Sequence, residues 1–253
     1  MYLPRTINAI ASGIFLPLYV FPGDPGVCSS WTGVIDAIAE HPALPFYIVV
    51  NPDTGPGATG SQPSSSYQGC VPLLKASNVK LLGYVDTAEA GRASSAVEAD
   101  ISTYADWESA YSVDGIFFDD VSGASSDLST YETWTAFAKE SFGGGDGFVN
   151  ALYLRTGLRH LIVSSYFGIA DFIVTLENAF DDFSTSDITI STAEPASQQV
   201  VILNSGPSSV SASTVSELVG DDQLAAIYIT SSADYTSVDS DFGDLATAVE
   251  NDG

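Results

Sequence analysis

Asp119 and Asp120 stand side by side at the close of an apolar run, Gly115-Ile116-Phe117-Phe118, and Glu177 closes a second run, Phe172-Ile173-Val174-Thr175-Leu176. Strands buried on both faces read as near-continuous apolar runs, and in α/β barrels chemistry collects where such strands end. Hydrolysis of a glycosidic bond uses two carboxyl groups flanking it. One is a nucleophile or base; the other is an acid kept protonated by burial or by like charge. Successive strand residues point to opposite faces. Asp119 is therefore expected on the strand facing the mouth, and Asp120 on the loop leaning over it. Structural uses compete: a helix cap or loop acceptor for Asp120, an ion pair or cap for Asp119 and Glu177. With 7 Lys+Arg against 32 Asp+Glu, cationic partners are scarce, which weighs toward chemistry at Asp119 and Glu177.

The elements that must position these acids can be read from the same patterning. Runs rich in apolar, β-branched and aromatic residues occur at 14–21, 46–51, 80–85, 115–119, 161–164, 172–176, 200–204 and 226–230. Between most of them lie segments with apolar residues three and four apart: 30–40, 67–77, 93–110, 131–142, 208–219 and 238–249. Ser30 and Ser129-Thr130 are placed as caps. Alternation of strand and helix implies parallel pairing through right-handed crossovers, and eight such runs predict an α/β fold, a (β/α)8 TIM-type barrel formed as one domain over residues 1–253. The step from Leu161 to Phe172 is too short for a crossover helix, so the barrel is expected to be irregular or shortened around strands 5 and 6. An open doubly wound sheet is the competing architecture.

On such a barrel the strand ends converge on one mouth. They deliver Tyr19, Asn51, Tyr84, Asp86, Asn204 and Tyr228 beside the three acids, all expected as substrate contacts, with helix capping an equal use for Asp86. Acids, amides and aromatics together suit a sugar, whose hydroxyls need acceptors and whose apolar face stacks on rings. Asn51-Pro52-Asp53-Thr54-Gly55-Pro56-Gly57 is a shaped loop without the Gly-Lys-Ser/Thr of a phosphate cradle. No Gly-x-Ser-x-Gly elbow exists, and neither His41 nor His160 is placed for a triad.

A formal net charge of −25 repels phosphate backbones, which argues against nucleic acid as a partner. It attracts cations, cationic polymers included, although solubility in an acidic or salty medium explains it as well. No Cys/His cluster supports a zinc site, and neither metal nor cofactor is expected. Cys28 and Cys70 open predicted helices in consecutive β/α units, and are either a disulfide of a secreted protein or two buried thiols. Residues 7–21 are largely apolar but do not read as a signal peptide, because Pro17 interrupts them; 13–21 reads as the first barrel strand. No run reaches the roughly 18 apolar residues of a membrane span. A secreted or cell-surface monomer is expected, with its signal absent from this chain.

The chain resembles the spherulin-4 family. The resemblance rests on Leu16-Pro17-Leu18-Tyr19-Val20-Phe21-Pro22-Gly23, the 51–57 segment, Leu82-Gly83-Tyr84-Val85-Asp86-Thr87, Gly115-Ile116-Phe117-Phe118-Asp119-Asp120 and Phe172-Ile173-Val174-Thr175-Leu176-Glu177-Asn178, in the family's order. It implies a (β/α)8 barrel that is a fungal-type secreted or cell-surface hydrolase. The implied activity is endo-acting cleavage of α-1,4-linked galactosamine or N-acetylgalactosamine polysaccharide. The implied acidic pair falls on Asp119 and Asp120, and the strand-6 glutamate on Glu177. Two departures stand out: Asp120 where relatives can carry Glu, and no Asn-Pro-Gly turn after strand 5. Arg155-Thr156-Gly157 or Ser164-Ser165-Tyr166 occupies that place, with Tyr166 a further substrate contact. The expected mechanism is retaining, Asp119 as nucleophile and Glu177 as acid/base. A wall or spore-coat protein that holds glycan without cleaving it, and a Mg²⁺-dependent phosphodiesterase, are the competing classes.

Overall fold

Eight short parallel strands pair each with the next, and the last returns to the first, closing a barrel. In the computed structural model, which describes residues 12–144, 147–154 and 164–253, they are β1 (Gly13–Leu18), β2 (Phe46–Val50), β3 (Val79–Asp86), β4 (Gly115–Val121), β5 (Val149–Leu154), β6 (Phe172–Ala179), β7 (Gln199–Asn204) and β8 (Ala226–Ile229). Helices α1 (Thr32–Glu40), α2 (Ser65–Leu74), α3 (Ser94–Ala105) and α4 (Leu128–Ser141) fill the first four crossovers. A short α5 (Ala212–Val215), continued by a π-helical turn at Ser216–Asp221, precedes β8, and α6 (Phe242–Asp252) follows it. The closed sheet answers the choice between barrel and open sheet. The helical N-termini lack the expected caps: Ser30 lies in a 3-10 turn before α1, Ser129 and Thr130 lie inside α4, and no side chain caps either helix.

The fifth strand corrects the sequence reading. β5 is Val149–Leu154, which pairs with β4 and β6; the run 161–164 is not that strand. Ser164 opens a 3-10 turn, Ser164–Gly168, while Leu161–Val163 and His160 lie outside the described residues. β5 escapes the apolar-run criterion because Asn150 interrupts it. That side chain is buried and donates to the Thr135 carbonyl at 3.2 Å. The irregularity expected nearby is present in another form. Between β6 and β7 three 3-10 turns, Phe180–Asp182, Thr185–Asp187 and Ala196–Gln198, stand in place of a long helix.

Side chains fill the barrel. The ring centroids of Phe15 and Phe117 lie 5.5 Å apart, and those of Tyr47 and Phe172, from β2 and β6, meet across the lumen at 4.4 Å. Outward residues pack on helices, as Phe46 does on Phe242 of α6. Two glycines set close approaches. A Cβ on Gly83 would lie 2.6 Å from the Tyr104 ring of α3, and one on Gly115 only 1.9 Å from the Val149 carbonyl oxygen of β5. Cys28 and Cys70 form a disulfide across a sequence separation of 42 residues, tying the β1–α1 connection to α2. A loop of that size contributes about 4 kcal/mol through the unfolded chain. His41 ends α1, and its Nδ1 lies 2.7 Å from Glu250 Oε2, joining the first helix to the last.

Two register slips mark the strands that carry the acids. β4 slips against β5 between Phe118 and Val121, and β6 slips against β7 between Val174 and Leu176. Bulges of this kind recur at barrel rims and re-aim side chains.

Candidate active site

Asp119 is set by its two neighbours in the sheet. Opposite Asp86 in the β3–β4 register, it accepts a hydrogen bond from the Tyr84 hydroxyl on Oδ2 (2.6 Å) and from the Asp120 N–H on Oδ1 (2.8 Å). The second bond depends on an unusual backbone. Asp120 has φ 54°, in the left-handed region that non-glycine residues seldom occupy, with Asp among the more tolerant. The strand therefore does not stop between the two acids, as the alternation of faces suggested; it continues to Val121 through a bulge.

Glu177 is held on both oxygens by phenols. Tyr153 of β5 donates to Oε2 and Tyr235, from the loop between β8 and α6, to Oε1. Asn204 Nδ2 lies 3.5 Å from both Oε1 and the Tyr235 hydroxyl. Tyr235 is also left-handed, at φ 57°. Its loop is fastened by Asp239, which accepts from Thr230 Oγ1 (2.8 Å), Ser231 N–H (2.6 Å) and Ser231 Oγ (2.7 Å). A bulky residue kept in this region needs surroundings that over-determine it, and this pinning provides them.

Asp119 and Glu177 line one open hollow, with Pro17, Tyr19, Phe117, Tyr153, Ile202 and Tyr235 completing it. Pro17 lies beyond the stretch of β1 paired with β8, Gly13–Ile14, so its missing N–H interrupts no bond to β8. Among the described residues no Lys, Arg or His lines the hollow. Burial pushes the Asp119 carboxyl up to about 6; the bonds from Tyr84 and the Asp120 N–H pull against this, and the charges of Asp120 and Asp86 add to it. Burial, then the neighbouring acids, hold the Tyr19, Tyr84 and Tyr235 phenols well above their usual range, so they stay hydrogen-bond donors. An arrangement of two carboxyls, phenolic donors and an aromatic floor can add a nucleophile and move a proton on a bound neutral or cationic ligand. Among the described residues no group of three or more His, Cys, Asp or Glu side chains is arranged to hold a metal ion, and no helix is long and apolar enough to cross a membrane.

Of the contacts expected from the sequence, Tyr19, Tyr84 and Asn204 join the two acids. The others are placed elsewhere. Asn51 Oδ1 accepts from the Gly55 N–H (2.9 Å) and shapes its own loop. Asp86 Oδ1 accepts from the Ala88 N–H (2.9 Å) and stabilises the turn after β3. Tyr166, fully buried, donates to the Ala124 carbonyl (2.8 Å) against Tyr131, under the loop after β4. Tyr228 is buried against the rings of Phe242 in α6 and Tyr235, and is not among the residues that line the hollow. Two phenols of the hollow were not found from sequence. Tyr153 went with the missed strand, and Tyr235 sits in a loop of Ser and Asp that carries no periodic signal.

The chain matches the model of the spherulation-specific family 4, Spherulin4, over residues 13–249. Spherulin-4 of Physarum polycephalum is 34% identical over 167 residues, which is 66% of this chain and 45% of that protein, so the match spans less than half of the curated relative's length. The crystal structure of Aspergillus clavatus Sph3 in complex with GalNAc is similar with a TM-score of 0.81 and 28% identity, over 95% of this chain and 98% of that one. The spore cortex-lytic enzyme SleL of Bacillus megaterium shares the fold, with a TM-score of 0.57 at 12% identity over 100% of this chain and 76% of that one.

Proposed function

The chain belongs to the spherulation-specific family 4, and on that premise we propose that it is a glycoside hydrolase that cleaves α-1,4-linked galactosamine or N-acetylgalactosamine polysaccharide, endo-acting and with retention of configuration. The observation that carries this reading is the meeting of Asp119 and Glu177, from β4 and β6, in one open hollow. The N-acetylgalactosamine bound by the similar Sph3 protein supports the sugar class. In the proposed reaction the Asp119 carboxylate attacks the anomeric carbon, while Glu177 gives its proton to the departing glycosidic oxygen. Glu177 then takes a proton from water, whose oxygen displaces Asp119 from the anomeric carbon. Burial that makes Asp119 a reluctant ion also leaves its carboxylate poorly solvated and reactive, while Tyr84 and the Asp120 N–H hold it in line. A disulfide accords with a secreted or cell-surface setting, where the protein works as a monomer.

The test is product release from acetylated and deacetylated galactosamine oligomers by the wild type and by Asp119→Asn, with the anomeric form of the first product read by proton NMR. The expected result is release of α product by the wild type and loss of at least about 10³-fold in the variant. First-formed β product would replace retention by inversion. Binding of the oligomers without any release by the wild type would make the protein a glycan holder rather than an enzyme.

A further inference from the structure

Three non-glycine residues in succession, Ala88, Glu89 and Ala90, have left-handed backbone angles (φ 45°, 53° and 64°) in the turn after β3. L-residues other than Gly adopt this region singly at most as a rule, and such strain persists only where the surroundings enforce it. Here the turn is bonded to the backbone of the acid pair. The Thr87 N–H donates to the Asp119 carbonyl (3.0 Å), and the Glu89 N–H donates to the Asp120 carbonyl (2.8 Å). Thr87 Oγ1 lies 2.7 Å from the first carbonyl oxygen and 3.0 Å from the second. The Thr87 side chain is fully buried, and its hydroxyl is 3.0 Å from the Tyr131 hydroxyl, which accepts from the Ser122 N–H (3.3 Å). A threonine hydroxyl has one proton to donate. With that proton on the carbonyls, the Tyr131 phenol donates to Thr87 Oγ1 and orients it.

We propose that Thr87 is a positioning residue of the active site: its buried hydroxyl, oriented by Tyr131, pins the Asp119 and Asp120 carbonyls and so fixes the left-handed bend at Asp120 that turns its N–H onto the Asp119 carboxylate. The kinetic part of this inference rests on the hydrolase reading; the geometric part does not. Filling space between β3 and α4 would be done equally well by Val, which has the shape of Thr without the hydroxyl. The groups facing Asp119 are Tyr84 and Asp86 from β3, Asp120 from its own strand and Tyr19 from β1, with Tyr153, Glu177 and Tyr235 across the hollow. Thr87→Val alters none of them, so a change in the Asp119 titration reports on the Asp120 N–H.

The experiment compares wild type, Thr87→Val, Thr87→Ser and Tyr131→Phe in the whole protein. The Asp119 carboxyl is titrated by ¹³C NMR, and initial rates are measured on galactosamine oligomers. Thr87→Val is expected to move the Asp119 midpoint up and to lower kcat about tenfold or more, with little change in KM. Thr87→Ser restores both, and Tyr131→Phe moves the midpoint in the same direction as Val. A midpoint unmoved in Thr87→Val, or moved and not restored by Ser, overturns the inference. Should Thr87→Val not fold, Tyr131→Phe decides by the same midpoint. If the wild type cleaves no oligomer while the midpoint moves in Val and returns in Ser, the hydrolase reading falls and the positioning role of Thr87 stands.

Discussion

A carboxyl group buried among phenols is harder to ionise and more reactive once ionised than one in water. Asp119 is in that position, and two donors moderate it. Removing one of them in Tyr84→Phe leaves burial and the Asp120 and Asp86 charges less opposed. The acidic limb of kcat/KM, which reports the nucleophile's ionisation in the free enzyme, is expected to lie near 6 in the wild type and to move to higher pH in the variant; a limb that stays put would mean that the hydroxyl does not bear on Asp119. Stability carries the same signature with a defined sign. An acid whose folded value is raised stabilises the fold fully below its unfolded value, near 4, and loses that contribution as pH rises through about 6. A displacement of about two units is worth up to about 3 kcal/mol at 1.36 kcal/mol per unit. Asp119→Asn is therefore expected to be inactive, yet more stable than wild type by about 1–3 kcal/mol at pH 7.5, with the gain gone at pH 4. Urea unfolding at the two pH values checks it, and an equal difference at both would remove Asp119 burial as its source. At this scale the sequence disclosed the acids and Tyr84, because each closes an apolar run. It did not disclose Tyr153 or Tyr235, whose roles depend on a strand broken by Asn150 and on a loop fastened by Asp239.

Strands placed these groups, and most were legible as strands for one reason: both faces are buried, so apolar residues run on without alternation. β1 to β4 and β6 to β8 obey this within three residues at their ends. β5 does not, since Asn150 is buried but bonded rather than apolar, and the run at 161–164 drew the assignment away. The bulges were equally hidden. Nothing in Phe118-Asp119-Asp120-Val121 reveals that Asp120 turns left-handed; that follows from the turn after β3, which grips its carbonyl from another strand. How closely β4 and β5 must approach was implicit only in a glycine. With a Cβ at Gly115 falling 1.9 Å from a backbone oxygen, no side-chain rotation relieves the clash. Gly115→Ala is expected to lose about 3 kcal/mol or more, and more than Gly83→Ala, whose obstacle is the Tyr104 ring. Denaturant midpoints order the pair; the reverse order would mean that β4 and β5 lie farther apart than this packing requires.

Over the whole molecule the dominant quantity is a net charge of −25, and it acts on folding and on encounter in opposite senses. Self-repulsion among the acids weakens the compact state. Few cations are available to offset it, one being Arg92, which is bound to Asp100 at 2.8 Å. Salt screens such repulsion, with a Debye length near 10 Å at 0.1 M and about 3 Å at 1 M, so the melting temperature is expected to rise between 0.05 and 0.5 M NaCl. The same field draws a cationic chain toward a hollow whose lining, among the described residues, holds no Lys, Arg or His, and salt weakens that attraction. Steering changes association by about 10-fold to 10³-fold. Raising salt over that range is therefore expected to lower kcat/KM for deacetylated galactosamine oligomers by about tenfold, while leaving kcat nearly unchanged. N-acetylated oligomers carry no charge and should respond little. Measured side by side, the two substrates separate steering from any general effect of salt on the protein, because a general effect would lower both alike. Equal sensitivity would reduce the acidic surface to a determinant of solubility, with no part in choosing the substrate.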